Sequence, residues 1–427
     1  MKKGYSPQHI PLTSLLVFLL LLFLSLSLAG CQSQSFTSLA PIGQTGNPVP
    51  ALEPDPVPES ITQKDTITLT ALGDILMHNT LTWAGGQPDG SYAFDFFGEV
   101  RDLMEEGDYC TTNLETALAG PETGYTGYPL FNSPDPIVDH LKEYGVDGVV
   151  ATNNHLLDRG YLGALRTVKV IEEAGLDTLG IKKSAEESGF LIKDIRGTQV
   201  GYLSYTYGTN GLSLPAEHSY FINMLEKERI LQDIDALRPQ VELLILVLHW
   251  GVEYSTEPTA EQRSLAREFL EAGADAIVGS HPHVIQPVEY FTINGKKKFV
   301  AYSIGNFIGD QRGQERNSGV ILQLKFGVEK VLQPSTAESV ASPEAMKTNA
   351  SLISHTVELD EVKLISTFSH SYTKEGRQHF RVIPVEETVE KIKANKEEIL
   401  TSVDLPLLEN VLKTTRDRLS QLTASET

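Results

Sequence analysis

Six strand-like segments of this sequence end in clusters of polar residues, and this regularity limits the fold more than any other feature. The clusters are Gly73-Asp74, Asn113-Leu114-Glu115, Asn153-Asn154-His155, His249-Trp250-Gly251, Ser280-His281-Pro282-His283 and Gly305-Asn306-Phe307. Segments with helical spacing of apolar residues lie between them, which is typical of an α/β domain. In α/β sheets, ligands bind beyond the carboxyl ends of the strands. The clusters are therefore predicted to converge on one functional face.

The clearest elements support this class of fold. Leu243–Leu248 is a continuous apolar run, typical of a strand that is buried on both faces. Tyr161–Ala174 and Glu261–Glu271 have apolar residues at helical spacing. Asn294-Gly295 lies between two short strand-like runs and predicts a hairpin turn. We predict an α/β domain over residues 66–326.

The remainder, residues 327–427, is predicted to be a C-terminal extension of strands followed by helix. Thr356–Phe368 and His379–Pro384 have strand character, and Pro334–Ser351 is predicted to be an exposed excursion. Glu386–Thr423 is charged and helical, with a break expected near Pro406. This extension could enlarge the main sheet or close over the site.

The first 30 residues have the pattern of a secretory signal. Lys2 and Lys3 precede an apolar run that ends in Leu28-Ala29-Gly30-Cys31. This ending resembles a bacterial lipobox, so we expect Cys31 to be lipidated and to anchor an extracytoplasmic protein in the cell membrane. A membrane-spanning helix is the alternative. Residues 31–65, rich in Ser, Gly and Pro, are predicted to be a flexible tether.

Charge and cysteine content exclude several functions. Asp and Glu outnumber Lys and Arg by 56 to 35, a formal net charge of -21, so nucleic acid is an unfavourable partner. An acidic substrate would have to be held locally, by metal ions or by a few basic side chains. Besides Cys31 the chain has only Cys110, which is predicted to be a buried, unreactive thiol.

The residue types in the clusters favour a centre for two divalent metal ions. Such a centre needs carboxylates, neutral imidazoles and one bridging ligand. The candidates are Asp74, Glu115, Asn154, His249, His281 and His283. His155 could supply a proton to a leaving group. Taken singly, each residue has a structural alternative: Gly73-Asp74 could be a turn, Asn154 a helix cap and His249 a core histidine.

Together the clusters resemble a known family. Asn-Asn-His, His-Trp-Gly with Glu253, and Gly-x-His-Pro-His are similar to the signature blocks of the CapA-type poly-γ-glutamate capsule proteins, over about Thr66 to Asp310. That family resembles the calcineurin-like metallophosphoesterases. The resemblance implies a four-layer α/β/β/α sandwich and a two-metal centre, with manganese, zinc or iron as the candidate metals.

The resemblance also implies roles for individual residues. Asp74 and His283 would hold one ion, and Asn154, His249 and His281 would hold the other. Glu115 would bridge the two ions, and His155 would be the catalytic histidine. Leu76 stands where the wider superfamily has a metal-binding histidine, so the first position needs a substitute ligand. The candidates for substitute or supporting roles are His78, Asn113, Asp158, Glu253 and Asn306.

Two functions remain open from the sequence. The first is a metal-dependent hydrolase or transferase acting on poly-γ-glutamate or another anionic envelope polymer. The second is a non-catalytic component that binds the polymer during export or anchoring, beside membrane-bound capsule-synthesis proteins. Lys296-Lys297-Lys298 is a further candidate for gripping the polymer, and a solvated hairpin turn is its alternative.

Overall fold

Apolar side chains of the strand Leu243–His249 alternate between two separate cores. Leu243, Ile245 and Val247 face one core, whereas Leu244 and Leu246 face the other. Both faces of this strand are therefore buried, and this explains why its sequence is apolar without interruption. A strand of this kind requires a layer of structure on each side.

The computed structural model describes residues 59–334 and 350–419, all within one compact unit, Pro56–Thr427. The predicted signal sequence, Cys31, most of the tether and most of the excursion lie outside the described residues. Within the described residues no helix is long and apolar enough to cross a membrane. The strands are β1 (Ile61–Ile75), β2 (Tyr109–Leu114), β3 (Gly148–Val150), β4 (Asp177–Leu179), β5 (Leu191–Ile195), β6 (Thr198–Thr206), β7 (Leu243–His249), β8 (Ala276–Ser280), β9 (Val288–Ile293), β10 (Lys296–Ala301), β11 (Asn306–Ile308), β12 (Ser318–Pro334), β13 (Ala350–Lys374) and β14 (Arg377–Pro384). The helices are α1 (Asn79–Gly85), α2 (Arg101–Glu105), α3 (Pro136–Glu143), α4 (Gly160–Glu173), α5 (Lys227–Leu237), α6 (Ala260–Ala272), α7 (Val385–Lys393) and α8 (Leu405–Leu419).

The described strands form two sheets. In the first, the order is β14-β13-β12-β1-β2-β3-β4, and β11 also pairs with β1. In the second, the order is β5-β6-β7-β8-β10-β9. Strands β1 to β4 are mutually parallel, and so are β6, β7, β8 and β10. Parallel neighbours end at the same edge of a sheet, so the polar clusters that follow them are brought together.

Three hydrophobic clusters define four layers. The first cluster joins α1, α3 and α4 to the outer face of the first sheet. The second fills the space between the two sheets, and the third joins α5 and α6 to the outer face of the second sheet. The predicted α/β/β/α sandwich is therefore confirmed.

The C-terminal residues enlarge the first sheet. β12 pairs with β1 from Ile61 opposite Leu332 to Ala71 opposite Leu322. This long pairing starts β1 inside the segment predicted as tether, and β12 continues across the predicted boundary at residue 326. A small core that includes Phe368, Ile383, Val389 and Val411 then joins α7 and α8 to this end of the sheet.

The structure gives the positions of the helix break near Pro406 and of the Lys296–Lys298 segment. Pro406 lies in the first turn of α8, where the missing N–H of proline costs no helical hydrogen bond. The break in the helical segment precedes it, over residues 394–404.

Lys298 is buried in β10, where its ammonium group donates to the carbonyls of Leu270 and Ala274. Lys296–Lys298 starts β10, at the opposite end of the parallel strands from the polar clusters, and binding of a polymer by the exposed Lys296 and Lys297 stays a prediction.

Candidate metal centre

Asp74 lies near the end of β1, where the backbone of Gly305 and the adjoining strand β11 approach β1 closely. The backbone N–H of Asp74 donates to the carbonyl of Gly305 at 3.0 Å, and β11 pairs with β1 at this point. A Cβ atom at Gly73 would lie 2.1 Å from that carbonyl oxygen, so only glycine fits. This close pairing places Asp74 and Asn306 side by side.

Asn113 orients both buried carboxylates. Its Nδ2 donates to Asp74 Oδ1 at 2.8 Å and to Glu115 Oε2 at 3.1 Å. The Oδ1 of Asn113 in turn accepts a hydrogen bond from Asn153 at 3.1 Å. The amides therefore fix one oxygen of each carboxylate and leave the other directed at the histidines.

Glu115 Oε1 occupies the centre of the cluster. It lies 3.6 Å from Nε2 of His249 and 3.6 Å from Nε2 of His283. It is buried and has no hydrogen-bond partner within the described residues. A buried oxygen without a partner is costly unless a cation is bound to it. Its position between two imidazoles matches the bridging ligand that the family resemblance implies.

The remaining predicted ligands complete two groups around Glu115. Asn154 Oδ1 accepts from His249 Nε2 at 2.9 Å, and His281 Nδ1 is buried without a partner within the described part of the chain. Ligand atoms of Asp74, Glu115 and His283 lie within 4.8 Å of one another, as do those of Glu115, His249 and His281. The donor set therefore fits divalent ions, with Glu115 common to both groups.

Burial and mutual charge shift the pKa values of these groups in different directions. Burial raises the pKa of Glu115 well above its usual range. Burial also lowers the pKa of His249 well below its usual range and that of His281 to about 3. Burial opposes protonation of His283 too, but the carboxylates of Glu115 and Asp74 outweigh it and raise the pKa of His283 to about 9. A bound cation would favour the ionised carboxylate and the neutral imidazoles that metal binding requires.

His155 lies beside the centre and is paired with Asp158. Its Nδ1 is 2.7 Å from Asp158 Oδ2, and that oxygen also accepts the backbone N–H of Phe131 at 2.7 Å. Both side chains are buried, and the ring of Phe131 packs edge-on against the imidazole. With Nδ1 directed at Asp158, Nε2 is the nitrogen available for proton transfer.

The structure distinguishes His78 from Glu253, two of the candidates for replacing the ligand that Leu76 does not supply. His78 Nδ1 accepts the backbone N–H of Asp310 at 3.2 Å, and the described residues place His78 in no group with ligand spacing. Glu253 has a carboxylate oxygen within 4.8 Å of ligand atoms of His281 and His283. Asn306, the remaining candidate, supports His283 through an Oδ1 to Nδ1 distance of 3.1 Å.

Three further residues contact the centre, and the sequence indicated no individual role for any of them. Ser280 Oγ lies 2.9 Å from Nδ1 of His249. Asn210 Oδ1 accepts from Asn154 Nδ2 at 3.1 Å, and the ring of Tyr207 lies 4.4 Å from that of His281. Tyr207 and Asn210 directly follow β6, so the rule of polar clusters at strand ends could have found them.

The four-layer sandwich and its strand-end cluster of His, Asn and carboxylate residues define an α/β/β/α domain with a candidate centre for divalent metal ions. The family profile described as "Bacterial capsule synthesis protein PGA_cap" matches residues 68–311, which is more than half of the chain. The chain therefore belongs to the PGA_cap family of bacterial capsule synthesis proteins, and the predicted resemblance is confirmed.

Individual relatives agree with this assignment. The chain is 26% identical over 271 residues to the capsule biosynthesis protein CapA of Bacillus anthracis, covering 61% of this chain and 64% of that protein. It is 28% identical over 277 residues to the PGA biosynthesis protein CapA of Bacillus subtilis, covering 61% and 67%. The match thus spans about two thirds of each relative. Among solved structures, the NAD nucleotidase of Haemophilus influenzae aligns with a TM-score of 0.40 at 14% identity, covering 86% of this chain and 65% of that one.

We expect Glu253→Gln to lower the affinity of the protein for one metal ion. His78→Gln should leave the affinity for both ions unchanged. Of these two side chains, only that of Glu253 lies at ligand spacing from histidine nitrogens. Loss of an oxygen that binds the ion directly should lower the affinity for that ion by at least about ten-fold. Replacing a residue that only hydrogen-bonds to a metal ligand already has an effect of that size. Calorimetric titration of the metal-free variants with manganese and with zinc measures this. Equal weakening in both variants, or weakening in His78→Gln alone, would contradict the assignment.

Proposed function

We propose that this protein is a metal-dependent hydrolase or transferase that acts on poly-γ-glutamate or another anionic envelope polymer. The observation that carries the proposal is Glu115 Oε1, which is buried, has no hydrogen-bond partner among the described residues and lies equally distant from His249 and His283. Membership of a capsule synthesis family supports the choice of an envelope polymer as substrate. The two CapA relatives are named for capsule and PGA biosynthesis.

The residues divide into two ligand sets. Asp74, His283 and Glu253 would hold one ion, and Asn154, His249 and His281 would hold the other, with Glu115 shared. Two such ions, when bound, polarise the bond under attack and lower the pKa of a bound water to about 7. Asn113 keeps the carboxylates of Asp74 and Glu115 in place for this task through its two hydrogen bonds.

His155 serves as the proton donor to the leaving group in this proposal. Asp158 accepts from Nδ1, so it holds the imidazole in the tautomer and orientation that present Nε2 to the substrate. The packing of Phe131 against the ring limits its rotation. Burial of both partners keeps competing water away from the pair.

We further propose that the protein acts outside the cell membrane, anchored through a lipid on Cys31. The sequence Leu28-Ala29-Gly30-Cys31 after an apolar run supports this location. A lipid anchor and the Ser/Pro-rich segment after it would hold the catalytic domain near membrane-bound capsule-synthesis proteins. Secreted polymer would then meet the metal centre as it leaves the membrane.

A second function, binding the polymer without cleaving it, is favoured by one observation. Leu76 is buried and offers no ligand at the position where the superfamily has histidine. A centre with one weak ion could still grip carboxylates of a polymer, because a bound cation dominates the local charge. This alternative predicts polymer binding with no change in polymer length.

The two functions separate in one experiment on the full-length protein. Metal content is measured by mass spectrometry after reconstitution with manganese, zinc or iron, and the size of poly-γ-glutamate is followed by size-exclusion chromatography. The hydrolase proposal expects about two ions per chain, as in two-metal hydrolytic sites, and polymer shortening that stops with a chelator. Bound ions with a constant polymer length would support the binding function instead.

A further inference from the structure

We propose that Arg316 and Tyr254 form an anion-binding subsite beside the metal centre, which takes a carboxylate or phosphate group of the substrate. The inference rests on the proposed function, because it assigns the acidic group that this centre recognises next to the reacting bond. Neither residue belongs to the ligand sets described above.

Two independent links connect Arg316 to the His283 side of the centre. Its guanidinium carbon lies 3.7 Å from the centre of the Tyr254 ring, and that ring lies 6.0 Å from the ring of His283. Asn306 makes the second link, since its Nδ2 donates to the carbonyl of Arg316 at 2.6 Å and its Oδ1 contacts His283. Arg316 is therefore held near His283 through both its side chain and its backbone.

Tyr254 is itself fixed by the histidine loop. Its backbone N–H donates at 2.8 Å to the carbonyl of Pro282, the residue between His281 and His283. Its φ angle is +64°, a conformation that a bulky residue adopts only when its surroundings impose it. Tyr254 as a whole is 38% exposed, so a polymer can reach this residue and the guanidinium stacked on it from solvent.

The charge of Arg316 is not neutralised by an ion pair within the described residues. Among the described residues no carboxylate lies within ion-pair distance of its guanidinium. Many other arginines among the described residues form ion pairs, as Arg166 does with Asp135 and Arg238 with Asp275. In a chain of formal net charge -21, an unpaired arginine beside a metal centre is the local cation that an acidic substrate requires.

The chemistry of the pair suits a planar or tetrahedral oxyanion. A guanidinium presents parallel N–H donors that bind carboxylate or phosphate in a bidentate manner. Stacking on Tyr254 holds the guanidinium plane in place before the substrate arrives, which reduces the entropy lost on binding. Lysine has neither the parallel N–H donors nor the planar group that stacks on an aromatic ring, so it should replace Arg316 poorly.

The test measures binding of two anionic probes to the metal-loaded, full-length protein by calorimetry at fixed salt. The probes are a γ-glutamate oligomer and inorganic phosphate, and a γ-glutamine oligomer of the same length is the neutral control. The variants are Arg316→Gln and Arg316→Lys. Arg312→Gln is the matched control, because Arg312 lies in the same loop, is exposed and has no ion pair in the described residues.

We expect Arg316→Gln to lower the affinity for at least one anionic probe by about ten-fold to a hundred-fold, with unchanged metal content. Arg316→Lys should recover little, and Arg312→Gln should stay within about two-fold of the wild type. The probe that responds identifies the substrate group as carboxylate or phosphate. Equal losses at Arg312 and Arg316, or unchanged binding in Arg316→Gln, would overturn the subsite and leave the proposed function standing. A wild-type protein that binds neither probe would overturn both.

Discussion

Replacing Glu115 with glutamine should remove both metal ions from this protein rather than one. Glu115 Oε1 lies 3.6 Å from the ligand nitrogens of both His249 and His283, so it is the one oxygen common to the two groups. A neutral amide binds divalent ions far more weakly than a carboxylate does. The loss should be at least about 100-fold in affinity for each ion, the upper end of what supporting residues contribute.

The control for this variant is Asp74→Asn, which should weaken mainly the ion held with His283. Asp74 shares its group with Glu115 and His283 and is absent from the group of His249 and His281. Metal content after dialysis and titration with manganese and zinc measures both variants. A Glu115→Gln protein that keeps one ion at wild-type affinity would show that Glu115 does not bridge.

Thermal unfolding of the metal-free protein separates loss of metal in Glu115→Gln from loss of the fold. Burial raises the folded-state pKa of this carboxyl well above its ordinary value of 4.5. A carboxyl with a raised folded-state pKa destabilises the fold increasingly as the pH rises above that ordinary value. The same carboxylate raises the pKa of His283 to about 9, so its replacement also removes a favourable charge interaction. A metal-free Glu115→Gln protein that unfolds near the wild-type temperature would assign the metal loss to the missing ligand.

Replacing His155 with glutamine should abolish most of the catalysis and leave the metal centre intact. Proton transfer by a positioned side chain contributes about 10²-fold to 10⁴-fold to a rate, and the loss should lie in this range. Glutamine is similar in length and can still donate to Asp158, so the local packing should survive. The measurement is the rate of polymer cleavage, or of hydrolysis of a responsive phosphoester, beside metal content and polymer affinity.

The outcome for His155→Gln decides between the two proposed functions. A large loss of rate with unchanged metal and polymer binding supports catalysis with His155 as proton donor. Asp158→Asn should then show a smaller loss, because Asp158 acts only through the orientation of His155. If polymer length never changes in the wild type and His155→Gln binds polymer normally, the protein is a binding component.

Much of the centre was visible in the sequence because its residues follow strands directly. Asp74, Asn154, His249 and His281 were predicted from their places in the strand-end clusters, and the parallel strands bring these ends together. The same rule would have found Tyr207 and Asn210 after β6. These residues did not stand out in the sequence, because the segment after β6 has no charged or imidazole side chain.

The sequence by itself determined the alternation of strands and helices, the family and the residue types at the strand ends. These are local properties, since they depend on periodicities of a few residues and on short motifs. Only the tertiary structure decided which residues meet: Glu253 rather than His78 beside the histidines, Arg316 over Tyr254, and Lys298 in the interior. The physical reason is that sheet pairing and layer packing bring together residues far apart in the chain, as Asn113 and His249 show at a separation of 136 positions.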